Sequence, residues 1–206
     1  MIVNPPWWQV NNTVLKQGSK QIKLQLKQNP AVLKTPELKA EISCNGSISE
    51  GATIDGFGSG PGQGKGRVTY SSCTVLKPSA CTVAEPITTK QLKAYLANAA
   101  TQTEVVEVFV PTEGTLFVTL KFSGTGCGAN LVGERGVSGS VAGEVIPVES
   151  ETQEGLVTFP QTPITKVKYE EQEQKLGLNV VGFTSTFSGA YGARLATNEP
   201  FGVFQN

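Results

Sequence analysis

The stretch Gln21-Ile22-Lys23-Leu24-Gln25-Leu26-Lys27 decides the fold class. Polar and apolar residues alternate strictly, which places Ile22, Leu24 and Leu26 on one face of a β-strand and the polar residues on the other. Working outward, the same chemistry recurs. Leu38 to Cys44 alternates more weakly, and Arg67-Val68-Thr69-Tyr70 leads towards Cys73. Val105 to Val110 is β-branched and mostly apolar, and Pro111 ends it. After the turn residues Thr112-Glu113-Gly114, Leu116 to Phe122 continues, so these two segments read as neighbouring central strands. Val137 to Val148, Leu156 to Phe159, Ile164 to Tyr169 and Leu176 to Tyr191 follow, separated by turn residues. That spacing predicts an all-β antiparallel sandwich or barrel. Thr88 to Thr101 fits two periods: Leu92, Tyr95, Leu96 and Ala99 make a helical stripe, whereas Leu92, Ala94 and Leu96 alternate. Glu170 to Lys175 is polar throughout and reads as a solvated turn or strand end.

Composition narrows the function classes. The 206 residues carry 17 Lys+Arg, 17 Asp+Glu and no histidine, and only 17% are charged. Zero net charge is a poor footing for nucleic acid, which wants a basic surface. Without histidine the commonest general base, the usual catalytic zinc ligand and His-based nucleophilic triads are missing. No apolar run approaches the roughly 20 residues of a membrane-spanning helix. The expectation is a non-enzymatic chain with no cofactor, no metal, no nucleic-acid partner and no membrane span. The start, Met1 to Trp8, lacks the basic and apolar regions of a signal peptide.

Four cysteines, Cys44, Cys73, Cys81 and Cys127, come without C-x-x-C pairs. An even count in a Gly/Thr/Ser-rich β chain reads as two disulfides formed in an oxidising compartment. Pro78-Ser79 are turn formers between Cys73 and Cys81, so a hairpin there predicts the pair Cys73–Cys81 and leaves Cys44 with Cys127.

The tract Gly56 to Gly66 contains Gly64-Lys65, which resembles a phosphate-binding loop. Ser59 stands where that motif needs its first glycine and Gly66 where it needs Ser or Thr, so the tract reads as a flexible connection between strands. Asp55 is the only aspartate, too few for a calcium cluster. Glu149 with Glu151, and the run Glu170, Glu171, Glu173, read as solubilising charge; a glycosidase would need two carboxyls facing each other in a cleft. Asn11-Asn12-Thr13 and Asn45-Gly46-Ser47 match the glycosylation sequon, a match that arises often by chance.

Pro5-Pro6-Trp7-Trp8 concentrates apolar mass near the N-terminus. The pair either caps the open end of the core or docks on another subunit or ligand. The following strand, Gln21 to Lys27, is an edge strand of its own domain or a donor that completes a neighbour's sheet. The expected organisation is an arm over residues 1–30 and one all-β domain over 31–206 with a glycine-rich loop at 56–66. The candidate interaction residues are Trp7, Trp8, Ile22, Leu24 and Leu26.

From Leu38 onward the order of features resembles a known family. It runs Glu41-Ile42-Ser43-Cys44, Val68-Thr69-Tyr70-Ser71-Ser72-Cys73-Thr74, Cys81-Thr82-Val83 and Ile87 to Ala94. It continues through Phe109 to Phe117, Leu120-Lys121-Phe122-Ser123-Gly124 with Cys127, and Val137 to Glu144. This is similar to a family of secreted, uncharacterised, cysteine-containing all-β proteins of soil actinobacteria. The resemblance implies a signal peptide in the precursor, an extracellular or cell-surface location, disulfides and a strand over Thr88 to Ala97; it implies no activity. The functional expectation is a structural protein, self-associating into an oligomer or filament through its N-terminal arm. The alternative is a module that binds polysaccharide through Trp7, Trp8 or Tyr191.

Overall fold

The computed structural model describes residues 5–27, 29–100 and 104–205. The strands are β1 (Trp7–Val10), β2 (Thr13–Val14), β3 (Ser19–Leu26), β4 (Ala31–Thr35), β5 (Ala40–Asp55), β6 (Gln63–Lys77), β7 (Thr82–Val83), β8 (Ile87–Thr88) and β9 (Leu92–Ala99). They continue as β10 (Val105–Pro111), β11 (Leu116–Ser123), β12 (Gly133–Ile146), β13 (Gly155–Phe159), β14 (Lys166–Tyr169), β15 (Gln172–Lys175), β16 (Gly177–Val180), β17 (Phe183–Leu195) and β18 (Phe201–Phe204). A single 3₁₀ turn, Pro36–Leu38, is the only helical element among the described residues. Every ladder between strands is antiparallel.

Four long strands, β5, β6, β12 and β17, organise the molecule by running through two stacked rings. In the first ring their pairings run β6–β9–β10–β12–β13–β17–β3–β5 and back to β6, a closed barrel of eight strands. An eight-stranded barrel is just wide enough to be filled by side chains or to hold one small ligand. At their other ends β5, β12 and β17 take β4, β16 and β11 as partners, while β6 stays paired with β5. There the segment after β8 bridges β6 to β11: the Thr89 N–H donates to the Val68 carbonyl at 3.0 Å and the Lys90 N–H to the Phe117 carbonyl at 2.8 Å.

Alternation fills both rings. In the first, Ile22, Ile54, Leu96, Val105, Val145 and Leu195 point inward. In the second, Ile42, Val75, Leu120, Val137 and Val180 do so, joined by the cystines. Val157, Phe159 and Tyr191 pack between them with Phe109, Phe187 and Tyr70 at their edges. Outside the barrel, the β14–β15 hairpin lays Val167 over Val106, Val108 and Ala97, which explains why β10 is apolar on both faces. The three-stranded sheet β18–β1–β2 supplies Trp8, Val10, Phe201 and Val203 to the first ring's core.

Several expectations need correction. The disulfides are Cys44–Cys73 and Cys81–Cys127, not Cys73–Cys81 and Cys44–Cys127. Cys44 lies directly opposite Cys73 in the β5–β6 ladder, with Cα atoms 4.0 Å apart. Pro78-Ser79 does not turn a hairpin, because the next strand, β7, pairs with β11. Strands β10 and β11 do not pair with each other either; both pair with β12, at successive stretches of its length. Strand β3 is neither an edge nor a donor strand: β17 pairs along Ile22–Leu26 and β5 along Ser19–Gln21. Where β5 peels away, Ser49 Oγ and Ser47 Oγ accept from the Leu24 and Leu26 N–H groups, so β3 keeps few free donors. The boundary near residue 30 therefore separates no packed units. The four residues before Pro5 lie outside the described residues. Of Thr88 to Ala97, Thr88 is strand on β8 and Leu92 to Ala97 on β9, with Thr89, Lys90 and Gln91 outside both.

The glycine tract is built rather than slack. Gly56 lies so close to Leu15–Gln17 that a Cβ would come within 2.5 Å of the Gln17 nitrogen. Gly64 and Gly66 are ladder residues of β6, facing Ala94 and Leu92 of β9.

Candidate functional site

The expected interaction residues are used inside the chain. Trp8 is 2% exposed, donates its indole N–H to the Gln63 carbonyl at 2.9 Å, and packs on Phe201 with ring centroids 6.3 Å apart. Ile22, Leu24 and Leu26 face the core opposite Leu195, Ala193 and Tyr191 of β17. Tyr191 is 4% exposed, so neither it nor Trp8 offers a free stacking face. Trp7, opposite Phe204, is half-buried, as are Leu24 and Leu26. The glutamates singled out in the sequence act as ties: Glu151 accepts from the Asn12 N–H at 2.9 Å and Glu149 from the Gln205 N–H at 2.6 Å. Glu173 pairs with Lys166 at 3.0 Å, and Glu170 and Glu171 form the β14–β15 turn at φ 46° and 69°.

What the structure brings together is an interior space. Between the two rings lies an apolar cavity of about 100 Å³, walled by residues including Ala31, Leu33, Phe117, Val118, Val141 and Phe187. Its polar features are Thr89, whose hydroxyl accepts from the Val68 N–H, and a pair of phenols: the Tyr70 and Tyr191 hydroxyls are 2.9 Å apart. Burial pushes the Tyr70 hydroxyl up to about 12, partly offset by that hydrogen bond, and pushes Tyr191 well above its usual value. Both phenols therefore stay protonated and act only as hydrogen-bonding groups.

A second chamber, of about 50 Å³, occupies the closed eight-stranded barrel. Leu24, Val68, Leu92, Phe109 and Val157 wall both spaces. Here β10 turns one carboxyl inward. Val106 and Val108 face the β14–β15 hairpin, so Glu107 alternates to the lumen with Val105 and Phe109. It is 7% exposed, and burial holds its carboxyl up to about 8. No hydrogen bond or ion pair ties it to any other described residue. The lysines and arginine nearby, Lys93 on β9 and Lys65 and Arg67 on β6, border the chamber as well but are exposed to solvent. Space beside the carboxyl comes from small residues on the facing strands: a Cβ on Gly64 would sit 3.6 Å from Glu107 Oε1 and 3.7 Å from the Ala94 Cβ.

Sequence reasoning missed Glu107 and the tyrosine pair. For Glu107 a signal existed, since it is the one charged residue in the run Val105 to Val110. For the tyrosines there was none, because 121 residues separate them.

The class defined by this geometry is a disulfide-linked antiparallel barrel with a mainly apolar interior space and the Glu107 carboxyl turned into it. Comparison with known protein families, with curated proteins and with solved structures finds no match to this chain.

Proposed function

We propose that the protein is a non-enzymatic extracellular barrel that takes a small, mainly apolar molecule into its interior. The observation that carries this reading is the cavity of about 100 Å³ between the two rings. Protein interiors are close-packed, and an apolar void forfeits the dispersion contacts an occupant would restore. A dry void of comparable size, about 150 Å³, takes up benzene or xenon. Two disulfides and the resemblance to secreted actinobacterial proteins support the extracellular location.

Isothermal titration with n-hexanol tests the reading. Wild type is expected to bind saturably with a negative heat-capacity change. Ala31→Leu, which pushes a larger side chain into the cavity from a 3% exposed position, is expected to lose that binding while staying folded. Absence of saturable binding by the wild type overturns the proposal.

A structural, self-associating role is the second reading. It is supported by Val181 and Phe183, 49% and 38% exposed on either side of the β16–β17 turn, rather than by the N-terminal arm. Sedimentation decides it: Val181→Ser with Phe183→Ser should shift an oligomer to monomer, and a monomeric wild type overturns it.

A further inference from the structure

We infer that the lumen is a site for a slender aliphatic primary amine, with the ammonium against Glu107 and the hydrocarbon chain running towards the cavity between the rings. The inference rests on the ligand-binding reading above and deepens it by naming the chemical class.

Three observations on the structure lead here. First, the carboxyl faces into a chamber rather than towards solvent or a partner side chain, with 7% of the residue exposed. A buried carboxyl is costly unless a hydrogen-bond donor or a cation meets it. Second, the protein supplies neither. The cations on adjoining strands, Lys65, Arg67 and Lys93, border the chamber but are exposed, and none is in hydrogen-bond or ion-pair contact with the carboxyl; apart from Thr53, the rest of the lining is apolar, glycine or alanine. An ionised carboxylate is acceptor-only, so its complement is a donor, and an ammonium brings three together with the opposite charge. Third, the room is narrow and placed at the carboxyl: Gly64 and Ala94, on the two strands next along the ring, carry no side chain long enough to fill it. Leu24, Val68 and Phe109 border both spaces, so the larger apolar space adjoins this one. A polar head followed by a thin apolar chain fits that order; a bulky or multiply charged molecule does not.

The protonation state agrees with this assignment. With its carboxyl held up to about 8 by burial, Glu107 is mostly neutral at pH 7 where no cation stands beside it. An ammonium beside it favours the carboxylate, so binding at neutral pH releases a proton.

The test titrates n-hexylamine and n-hexanol into wild type, Glu107→Gln and Glu107→Met by calorimetry at pH 7 in two buffers of different ionisation enthalpy. The expected result is hexylamine binding at least tenfold weaker in both variants, with hexanol affinity unchanged within twofold. Proton release should appear only for hexylamine on wild type. Glu107→Gln imitates the protonated side chain in size and polarity, so loss of fold is not expected, and unchanged hexanol binding checks it. Hexylamine binding all three proteins within twofold overturns the amine assignment and leaves the apolar-ligand reading standing. Failure of both molecules to bind wild type overturns both.

Discussion

The hydroxyl of Tyr70 on β6 lies 2.9 Å from that of Tyr191 on β17, joining two strands that pair with different neighbours in both rings. Each phenol satisfies the other in a wall that is otherwise apolar except for Thr89. Replacing one leaves a buried hydroxyl without a partner, which costs about 1–3 kcal/mol, whereas replacing both removes the polar pair altogether. Tyr70→Phe and Tyr191→Phe are therefore expected each to lower unfolding free energy in urea, and the double variant to lose less than the sum of the two. Additive losses would contradict the pairing.

The same phenols predict an alkaline signature. Tyr70 and Tyr191 are raised by burial, Tyr70 to about 12. A group whose folded value lies above its unfolded value stabilises the fold below the unfolded value and loses that contribution as pH rises towards the folded one. Stability should fall between about pH 10 and pH 12. Absorbance titration at 295 nm should show phenolate from these residues only as the protein unfolds; ionisation of all four tyrosines near pH 10 in the folded protein would contradict their burial.

The cystine pairing gives a third prediction. Non-reducing digestion and mass mapping should return peptides joining Cys44 to Cys73 and Cys81 to Cys127. Loops of this length constrain the unfolded chain by about 3–4 kcal/mol each in the chain-entropy account, so Cys81→Ala with Cys127→Ala should lower Tm markedly. A Cys73–Cys81 peptide would overturn the β5–β6 register.

That pairing also marks how far the sequence could be read. Strand identity was legible, because Ile22, Leu24 and Leu26 alternate and β-branched runs mark β10 and β12. Pairing was not, because it depends on where the chain reverses. Treating Gly56 to Gly66 as a loose connection hid its role as the reversal between β5 and the start of β6; mirrored about residues 58–59, position 44 falls opposite 73. Pro78-Ser79 looked like a stronger local turn and drew the pairing to Cys81. Burial of Trp8 fits the capping alternative, and the pattern Gln21–Lys27 announced one buried face correctly. It could not announce that both strand edges are occupied, since β17 comes from the other end of the chain. The lumen was invisible for the same reason: Glu107, Gly64 and Ala94 meet only once the barrel closes.

Glu107 predicts an unusual pH dependence. Its folded value of about 8 stands above the ordinary carboxylate value of 4.5. Between these limits the folded protein keeps a proton that the unfolded chain releases, so stability falls as pH rises from about 4.5 to about 8, by at most about 1.4 kcal/mol per pH unit. Glu154 and Glu199, held below the usual value chiefly by hydrogen bonds from Lys27 and Lys20, contribute stability that is lost only in more acid solution. The two effects occupy different windows. Urea unfolding at pH 5 and pH 8 should show wild type weaker at pH 8 and Glu107→Gln nearly level. Equal slopes in the two proteins would place Glu107 in contact with water.

The adjacent tryptophans separate a packing role from an exposed one. Trp8 is buried against Phe201 and tied to Gln63, whereas Trp7 is half-exposed. Trp8→Ala is expected to cost about 3–5 kcal/mol, in the range for emptying a buried aromatic site. Trp7→Ala, at a half-buried position whose indole N–H has no hydrogen-bond partner, should cost less than Trp8→Ala. Trp8→Phe keeps most of the ring and loses only the N–H to the Gln63 carbonyl, so its cost should lie between these. Deleting residues 1–18 removes β1 and β2, leaving β18 without a partner on that side and uncovering Phe201 and Val203. That truncation should lower Tm further than Trp8→Ala. If instead it leaves Tm unchanged and removes an oligomer, the arm works between copies and the pairing of Trp8 with Val203 within one chain is refuted.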